Sequence, residues 1–305
     1  MKGLPKYTDL AIVGCGPAGI SAGIHAARNG INHIVFDPTP GGLIKAANLV
    51  ENVSFYHPSD GNHLAALMIS RASSVGMVTE CMKIDGLKQA GGFFALSAGT
   101  NELKARAVII ATGTRHRTPD IKIEDCGSVK KLIHFDARTL PPSLSGRLVF
   151  VSGGGDAAFD TALNAKKRGA EVEIFFRSEN PSAMKLLVKR AGESGIIINH
   201  KTRIASIDDS GGILTVSIET RALNVVNRTC SSVVICHGRE PEDTLWNEVS
   251  GGLVTPREIS SGIPGLFCAG DFIRARCRYI EVAAGDGTRA CNLAMEYLEK
   301  HGNNV

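Results

Sequence analysis

Two glycine-rich turns are the residues of this sequence best suited to chemistry. They read Gly14-Cys15-Gly16-Pro17-Ala18-Gly19 and Gly153-Gly154-Gly155-Asp156-Ala157-Ala158. In turns of this kind the first glycine permits a tight bend and the second lets a pyrophosphate approach the backbone, while the third position lets a helix pack closely on a strand. The N–H groups at the start of that helix favour bound phosphate. Both turns therefore predict dinucleotide binding.

The elements around the first turn are those that such a site requires. Thr8 to Val13 predicts a buried strand, the residues after the glycines predict a helix ending by Arg28, and Asn32 to Phe36 predicts a second strand. Asp37 follows that strand directly, 23 residues after Gly14, where an acidic residue suits a pair of ribose hydroxyls. We therefore expect a nucleotide with an adenosine ribose at this turn.

The same order of elements begins again 139 residues later. Arg147 to Ser152 predicts a strand, a helix then extends to Lys167, and Glu171 to Phe176 predicts the next strand. Each copy continues into a glycine-led hairpin, at Gly91 and at Gly211, and then into a further strand. The chain is therefore expected to be an α/β protein with two Rossmann-like dinucleotide-binding domains, each with a β-meander.

Composition and charge exclude several classes of function. The 305 residues are 43% hydrophobic and 21% charged, which predicts two folded domains and not a disordered chain. A net charge of +4 without a basic tail, and only 5% aromatic residues, argue against nucleic-acid binding. No apolar run approaches the ~18 residues of a membrane span, and residues 1–9 lack the apolar part of a signal peptide, so a cytoplasmic protein without membrane contact is expected. The histidines show no metal-ligand spacing, and no metal site is predicted.

The cysteines do not form a recognisable redox motif. The chain has eight, and none of them are spaced as CxxC. Cys230 and Cys236 are the closest pair and are predicted to be reduced core residues, and Cys126 is also predicted to be structural. Cys15 lies at the start of the first helix, a position that lowers thiol pKa values, although a bound pyrophosphate would cover it.

Taken together, these residues resemble the two-dinucleotide-binding-domain flavoproteins, and most closely the low-molecular-weight thioredoxin reductases. The resemblance covers nearly the whole chain and is carried by both glycine turns and by several further motifs. These motifs are Gly41-Gly42-Leu43, Val50-Glu51-Asn52, Ala111-Thr112-Gly113, Ala269-Gly270-Asp271 and the run from Arg278 to Gly287. The resemblance implies bound FAD, a homodimer, and a discontinuous FAD domain of residues 1–115 and 248–305. A second, NAD(P)-type domain of residues 116–247 would lie between these segments.

The resemblance also implies which residues bind each cofactor. The FAD pyrophosphate would rest on the first turn, the adenosine ribose on Asp37, and the ribityl chain on Asp271. The other residues implied for FAD are Gly14, Gly16, Pro17, Ala18, Gly19, Gly42, Leu43, Asn52, Ala111, Thr112, Gly113, Gly270, Arg278, Tyr279 and Ile280. A helix opening near Tyr279 would direct its N–H groups at the pyrimidine edge of the flavin. The residues implied for the second nucleotide are Gly153, Gly155, Asp156, Ala157, Ala158, Arg177 and Gly238.

Two departures from the family pattern bear on activity. The family's CxxC is replaced by Ile133 to Arg138, which contain no cysteine, so thioredoxin reduction is not expected. Of the HRRxxxR pattern that grips the 2′-phosphate of NADPH only Arg177 is present, which predicts that most preference for NADPH is lost. The same stretch is similar to thioredoxin-reductase-like ferredoxin–NADP reductases, but their aromatic cap beyond the last helix is not expected because the sequence ends at Val305.

The sequence therefore predicts an FAD-dependent oxidoreductase that has no redox-active disulfide and transfers electrons between a nicotinamide or other donor and an acceptor. A flavoprotein that uses ferredoxin, a deazaflavin or a second flavin in place of NAD(P)H is the first alternative. A non-catalytic FAD-bound sensor or subunit is the second. Arg274, Arg276 and Arg278 alternate near the expected flavin and predict a basic rim for an acidic electron carrier such as ferredoxin. Arg115 to Arg117 and the pair His237 and Arg239 are further candidates for nucleotide contact.

Overall fold

The computed structural model describes residues 5–123, 127–209, 213–222 and 224–301. In chain order the elements are β1 (Tyr7–Val13), α1 (Pro17–Arg28), β2 (His33–Phe36), a 3-10 helix (Gly42–Ala46), α2 (Gly61–Ser74), β3 (Thr79–Glu80), β4 (Gly86–Ala90), β5 (Phe93–Ala98), β6 (Asn101–Ile110), β7 (Thr114–His116), β8 (Lys122–Ile123), α3 (Gly127–Leu132), β9 (Ile133–His134), β10 (Leu148–Ser152), α4 (Asp156–Lys167), β11 (Glu171–Phe176), α5 (Lys185–Glu193), β12 (Ile197–His200), β13 (Thr202–Asp209), β14 (Leu214–Thr220), β15 (Val225–Cys230), β16 (Ser232–Ile235), β17 (Arg239–Pro241), α6 (Thr244–Ser250), β18 (Leu266–Cys268), a second 3-10 helix (Gly270–Phe272) and α7 (Ile280–Lys300). The α/β class predicted from the sequence is confirmed.

The chain divides into two compact units. The first combines Met1–Lys45, Glu51–Arg115 and Glu240–Val305, and the second combines Ala46–Val50 and His116–Arg239. The last segment of the first unit thus begins at Glu240 and not at 248. The reason is α6, which places Leu245 and Trp246 in the core of the first unit.

The first unit is built on a sheet in which β6 has two roles. Strands β3, β2, β1, β6 and β18 are parallel neighbours, while β6, β5 and β4 form an antiparallel meander. The first half of β6 pairs with β5 and its second half with β18. Strand β1 is almost wholly buried because its apolar residues are covered on both faces, as is typical of parallel sheets. Its carboxyl end leads directly into the first glycine turn.

The second unit repeats this plan with two sheets. Strands β12, β11, β10, β16 and β9 form a parallel sheet, and β15, β14, β13 and β8 form a second sheet that is antiparallel except for the β13–β8 pair. Helix α4 covers β10 and β11, and Phe159 on this helix packs into the core between them. The hairpin tip that contains Gly211 lies outside the described residues.

The two glycine turns have the same backbone geometry. Gly14 and Gly153 have φ values of +109° and +142°, which side-chain-bearing residues rarely adopt. A Cβ atom would lie 2.2 Å from the Ala111 carbonyl oxygen at Gly14 and 2.5 Å from the Cys236 carbonyl oxygen at Gly153. Each first glycine is therefore required by the neighbouring strand end, as the sequence predicted.

Among the residues that the structure describes, none forms a helix with both the length and the apolar character needed to span a bilayer.

Candidate functional site

The start of α1 is open to an anion. Gly16 caps the helix in an extended conformation and offers no side chain, and Pro17 occupies the first helical position, where its missing N–H group costs nothing. The first turn of α1 contains no acidic residue. A Cβ on Gly42 would lie 2.9 Å from the Gly16 Cα, so backbone alone borders this side of the turn. The unpaired N–H groups and the helix dipole together suit a phosphate group.

Asp37 is held against the same turn. Its carboxylate accepts the N–H groups of Cys15 at 2.7 Å and Thr39 at 2.8 Å. Cys15 is fully buried, and burial together with the nearby Asp37 charge raises the pKa of its thiol to about 12. The expectation of a low thiol pKa at this helix start is therefore wrong, because loss of solvent outweighs the helix N-terminus.

Ala18 is the point where the predicted FAD motifs meet. A Cβ on Gly270 would lie 2.8 Å from the Ala18 Cβ, and one on Gly287 would lie 2.0 Å from the Ala18 carbonyl oxygen. The Ala269 N–H group donates to Ile110 at 2.9 Å and so sets the Gly270 segment beside the end of β6. These contacts leave room for glycine only, and they bring the two C-terminal motifs to the first turn.

The other residues predicted for FAD occupy the same unit. Thr112 donates its hydroxyl to the Glu242 carbonyl oxygen at 2.9 Å, and Gly113 accepts the Glu242 N–H group at 3.0 Å. Leu43 is half-buried in the first 3-10 helix, while Asn52 is exposed in the coil that follows. Their contact with FAD is a prediction that rests on the resemblance.

Helix α7 begins at Ile280, as predicted, with Tyr279 as its exposed cap residue. Glu281 in the first turn accepts both the N–H and the hydroxyl of Ser54 at 2.6 Å. This acid, which sequence reasoning missed, lies where a helix N-terminus would otherwise present only N–H groups. The two hydrogen bonds from Ser54 therefore hold the Glu281 carboxylate at one side of the start of α7.

The basic rim predicted from three arginines is smaller than expected. Arg274 forms a two-pronged ion pair with Asp286, which is almost fully buried on α7. Arg278 donates its Nε–H to the Arg274 carbonyl oxygen at 3.0 Å, whereas Arg276 is exposed. Arg274 is thus a structural residue that fastens the loop to α7.

The second turn borders a cavity of about 650 Å³ within the second unit. Gly155 caps α4 in an extended conformation with no side-chain hydrogen bond, just as Gly16 caps α1. Asp156 directs its carboxylate to the Met184 N–H group at 2.7 Å. The cavity is lined by all the residues predicted for the second nucleotide, namely Gly153, Gly155, Asp156, Ala157, Ala158, Arg177 and Gly238. Seven residues from three separate segments therefore converge on one concave site.

The candidates around this cavity have different roles. Arg115 belongs to the first unit, where its guanidinium pairs with Glu240 at 3.0 Å and Asp243 at 2.6 Å. Arg117 lines the cavity beside Gly238. His237 also lines it and shares a hydrogen bond with Ser152 at 2.8 Å, while desolvation and the nearby Arg177 lower the pKa of its imidazole. Of the basic run 115–117, only Arg117 therefore reaches a nucleotide-sized space.

A second cavity of about 540 Å³ adjoins the first and was not predicted. Both cavities are lined by Arg177 and Arg203, and the second adds Lys201 and Arg221. Lys201, Arg203 and Arg221 lie at the ends of β13 and β14, far along the chain from the glycine turn. Their spacing matches no motif, so no sequence signal connected them with the site.

Residues 133–138, which the resemblance aligns with the family's dithiol, include polar groups that are hydrogen-bonded to one another. Asp136 is buried and accepts hydrogen bonds from Arg138 at 2.7 and 3.0 Å, and His116 lies 3.2 Å away. These partners hold the pKa of the Asp136 carboxyl well below its usual range, although burial opposes them. His134 shares a hydrogen bond with Thr139 at 2.9 Å. These hydrogen bonds indicate a structural role for the segment in the second unit.

The remaining thiols are unpaired where the structure describes them. Cys230 is buried as predicted, Cys236 is half-buried, and only Cys81 and Cys277 are exposed among the described cysteines. Cys126 lies outside the described residues. Burial raises the pKa of both Cys230 and Cys236 to about 12, which agrees with their predicted place in the core.

Asp160 on α4 is expected to make the stability of the second unit depend on pH. Its carboxylate accepts the Asn48 N–H group at 2.8 Å, and burial raises the pKa of this carboxyl to about 6. The unfolded chain releases the same proton near the ordinary value of 3.8. The folded unit therefore binds more protons between these two values, and its stability falls as the pH rises through that window.

Asp160→Asn is expected to raise the free energy of unfolding near pH 8 by up to about 3 kcal/mol, with little effect near pH 4. The amide retains an oxygen that accepts the Asn48 N–H group but carries no charge to desolvate. Thermal unfolding of both proteins at the two pH values measures the difference. An equal gain at both would show that ionisation of Asp160 is not the cause.

The sequence profile of one protein family, described as pyridine nucleotide-disulphide oxidoreductase, matches residues 8–287. The chain belongs to this family. It is 28% identical over 304 residues to a thioredoxin reductase of Listeria innocua, covering 97% of this chain and 95% of that one. It is 27% identical over 304 residues to a 34.2 kDa protein in the rubredoxin operon of Clostridium pasteurianum, covering 96% and 98%. The crystal structure of Lactococcus lactis thioredoxin reductase has the same fold, with a TM-score of 0.86 and 23% identity over 96% of this chain and 99% of that one.

Membership in this family confirms the resemblance to thioredoxin reductases that the motifs indicated. This family member is an FAD-dependent oxidoreductase. The first turn fits the cofactor, because an uncapped helix start and surrounding glycines leave a backbone-lined space for a pyrophosphate.

Proposed function

We propose that this protein is an NAD(P)H-dependent flavoprotein reductase whose acceptor is not thioredoxin and whose electrons pass through no internal disulfide. The observation that carries the proposal is the cavity at the second glycine turn. Its helix start is uncapped, its lining includes Arg177, and its volume of about 650 Å³ is within the range of cofactor sites. These features support a nicotinamide nucleotide site in the second unit.

In this proposal the first unit holds FAD, which supplies two-electron transfer when bound. The N–H groups at the start of α1 bind the pyrophosphate and Asp37 orients the adenosine ribose through its carboxylate. Asp271 would bind the ribityl chain of FAD, and Thr112 would lie beside the cofactor. The start of α7 at Tyr279 would favour negative charge on the flavin ring. The compact contacts around Ala18 support these assignments, because they bring the motifs together.

The second unit in turn holds the electron donor. The α4 N–H groups bind its pyrophosphate, and Arg177 reaches the adenosine ribose, as the residue after this strand does in such folds. Asp136 and His134 take the position of the family's dithiol and are committed to Arg138 and Thr139. Because residues 133–138 contain no thiol, we propose that the acceptor is reduced at the flavin itself.

Anaerobic stopped-flow mixing with NADPH or NADH tests this proposal. We expect the flavin absorbance band to bleach rapidly with at least one nucleotide, because the cavity keeps the glycine turn and the uncapped helix start that the proposed donor site needs. In an insulin assay coupled to thioredoxin the same protein should show no turnover. Bleaching by dithionite but by neither nucleotide would overturn the nicotinamide proposal.

A second candidate function is electron exchange with a small acidic carrier protein. The specific observation that favours it is the relative in a rubredoxin operon, together with the exposed Arg276 beside the start of α7. A carrier such as ferredoxin would then serve as acceptor or, if no nucleotide bleaches the flavin, as donor. Reduction by a second flavin or a deazaflavin would appear in the same assay. Failure with every donor would favour a non-catalytic FAD-bound sensor.

The family resemblance predicts a homodimer, which light scattering can measure.

A further inference from the structure

We infer that the second cavity, called here the groove between Arg177 and Arg221, is a phosphomonoester site. The second nucleotide would then carry a third phosphate on its adenosine ribose. This inference rests on the proposed nucleotide site in the second unit. It differs from the expectation that the loss of two motif arginines removes the preference for NADPH. The missing charges are replaced by cations from other strands.

The groove is continuous with the predicted nucleotide cavity. Four residues line both spaces, namely Arg177, Ser178, Thr202 and Arg203. Arg177 follows β11 directly, just as Asp37 follows β2 in the first unit. That strand end is where these folds read the adenosine ribose, and an arginine there accommodates a phosphate where an acid would bind the free hydroxyls. A phosphate on this ribose would therefore enter the groove.

The backbone of Lys201 organises the groove. Lys201 has a φ of +54°, one of only two residues other than glycine with a positive φ in the described chain. Its N–H group donates to the Ser178 carbonyl oxygen at 3.2 Å, and its own carbonyl oxygen accepts the Arg221 N–H group at 2.9 Å. Such a backbone costs about 1–2 kcal/mol for an L-residue and is often found at functional sites. Three chain segments are joined at this one residue.

The charges of the groove favour an anion. Four cations line it against two carboxylates, Glu179 and Glu219. Lys201 pairs with the largely exposed Glu179 at 2.6 Å, and Arg203 pairs with Glu219 through Nε at 2.7 Å. Ion pairs at the surface contribute little, so a phosphate dianion can replace or share them. Arg177 and Arg221 have exposed side chains and form no ion pair with the described residues.

Two kinds of nucleotide share this chemistry. NADPH carries the extra phosphate at the ribose 2′ position, and coenzyme A carries it at the 3′ position. The probes 2′,5′-ADP, 3′,5′-ADP and 5′-ADP isolate the adenosine half of each and need no flavin turnover. Calorimetric titration of the FAD-loaded protein should show at least ten-fold tighter binding of one bisphosphate than of 5′-ADP. The preferred isomer identifies the source.

Variants of the groove test which residues produce the preference. Arg203→Gln and Arg221→Gln should each weaken the preferred bisphosphate by about ten-fold and change 5′-ADP by less than two-fold. Lys201→Gly keeps the left-handed backbone and removes the ammonium group, and it should act in the same direction. Lys189→Gln, on the exposed face of α5 where it pairs with Glu193 at 3.7 Å, is the matched control and should change neither affinity.

The outcomes separate the two proposals. Equal affinity for 5′-ADP and both bisphosphates would overturn the phosphomonoester site and leave the nucleotide site intact. A bisphosphate preference that persists in the Arg203 and Arg221 variants would assign it to other residues and overturn the groove. Failure of all three probes to bind would overturn the proposed nucleotide site itself.

Discussion

Gly155→Asp is expected to abolish reduction of the flavin by NAD(P)H while FAD stays bound. Gly155 has a φ of −97°, and a Cβ there would meet only the Ser182 hydroxyl, at 3.6 Å. Aspartate is among the best helix-capping residues, so α4 should remain folded. Its carboxylate would occupy the position proposed for the pyrophosphate and repel it. We expect nucleotide affinity to fall by about 100-fold or more, since attraction at a helix start becomes repulsion.

The matched control is Gly155→Asn, which has the same shape and capping ability without the charge. It should lose less affinity than the aspartate variant, and the ratio of the two dissociation constants reports the electrostatic part. FAD content and thermal unfolding should match the parent protein in both. If the aspartate variant were reduced as fast as the parent, the cavity at α4 would not be the donor site.

Arg274→Met is expected to destabilise the first unit strongly. Asp286 is almost fully buried, and Arg274 supplies both of its charged hydrogen bonds. Removing one partner of a buried ion pair leaves an uncompensated charge and typically costs about 3–5 kcal/mol. Because the same loop joins Asp271 to the start of α7, the variant should also lose FAD during purification. Thermal unfolding and the ratio of flavin to protein absorbance measure the two effects.

The double variant Arg274→Met with Asp286→Asn controls for the charge. Its buried amide needs no counter-ion, so it should regain a large part of the lost stability. A double variant as unstable as the single one would show that Arg274 acts through packing of its side chain and not by neutralising Asp286.

The sequence predicted those parts of the fold that depend on residues close together in the chain. Strand β11 was predicted at Glu171–Phe176 and occurs there, and β10 begins one residue later than predicted, at Leu148. Glycine turns, apolar strands and amphipathic helices arise from backbone and hydrophobic preferences within a few residues. The start of α7 was also predicted correctly, because it follows a motif of fixed spacing.

Long-range contacts decided what these patterns could not show. The pKa of the Cys15 thiol rises because strands and Asp37 surround it, although its place in the sequence indicates the opposite. Arg274 is committed to a carboxylate one element away. The last segment of the first unit begins at Glu240 because α6 inserts Trp246 into a core that other segments build.

The sequence by itself determined the two βαβ units, their glycine turns and the absence of a dithiol at residues 133–138, because all of these are properties of contiguous residues. Only the tertiary structure brought Lys201, Arg203 and Arg221 to the side of Arg177. Their grouping depends on how β13 and β14 pair and on where those strands end. Strand pairing joins residues that are distant in the chain. For this reason no pattern of neighbouring residues in the sequence indicates a charged site of this kind.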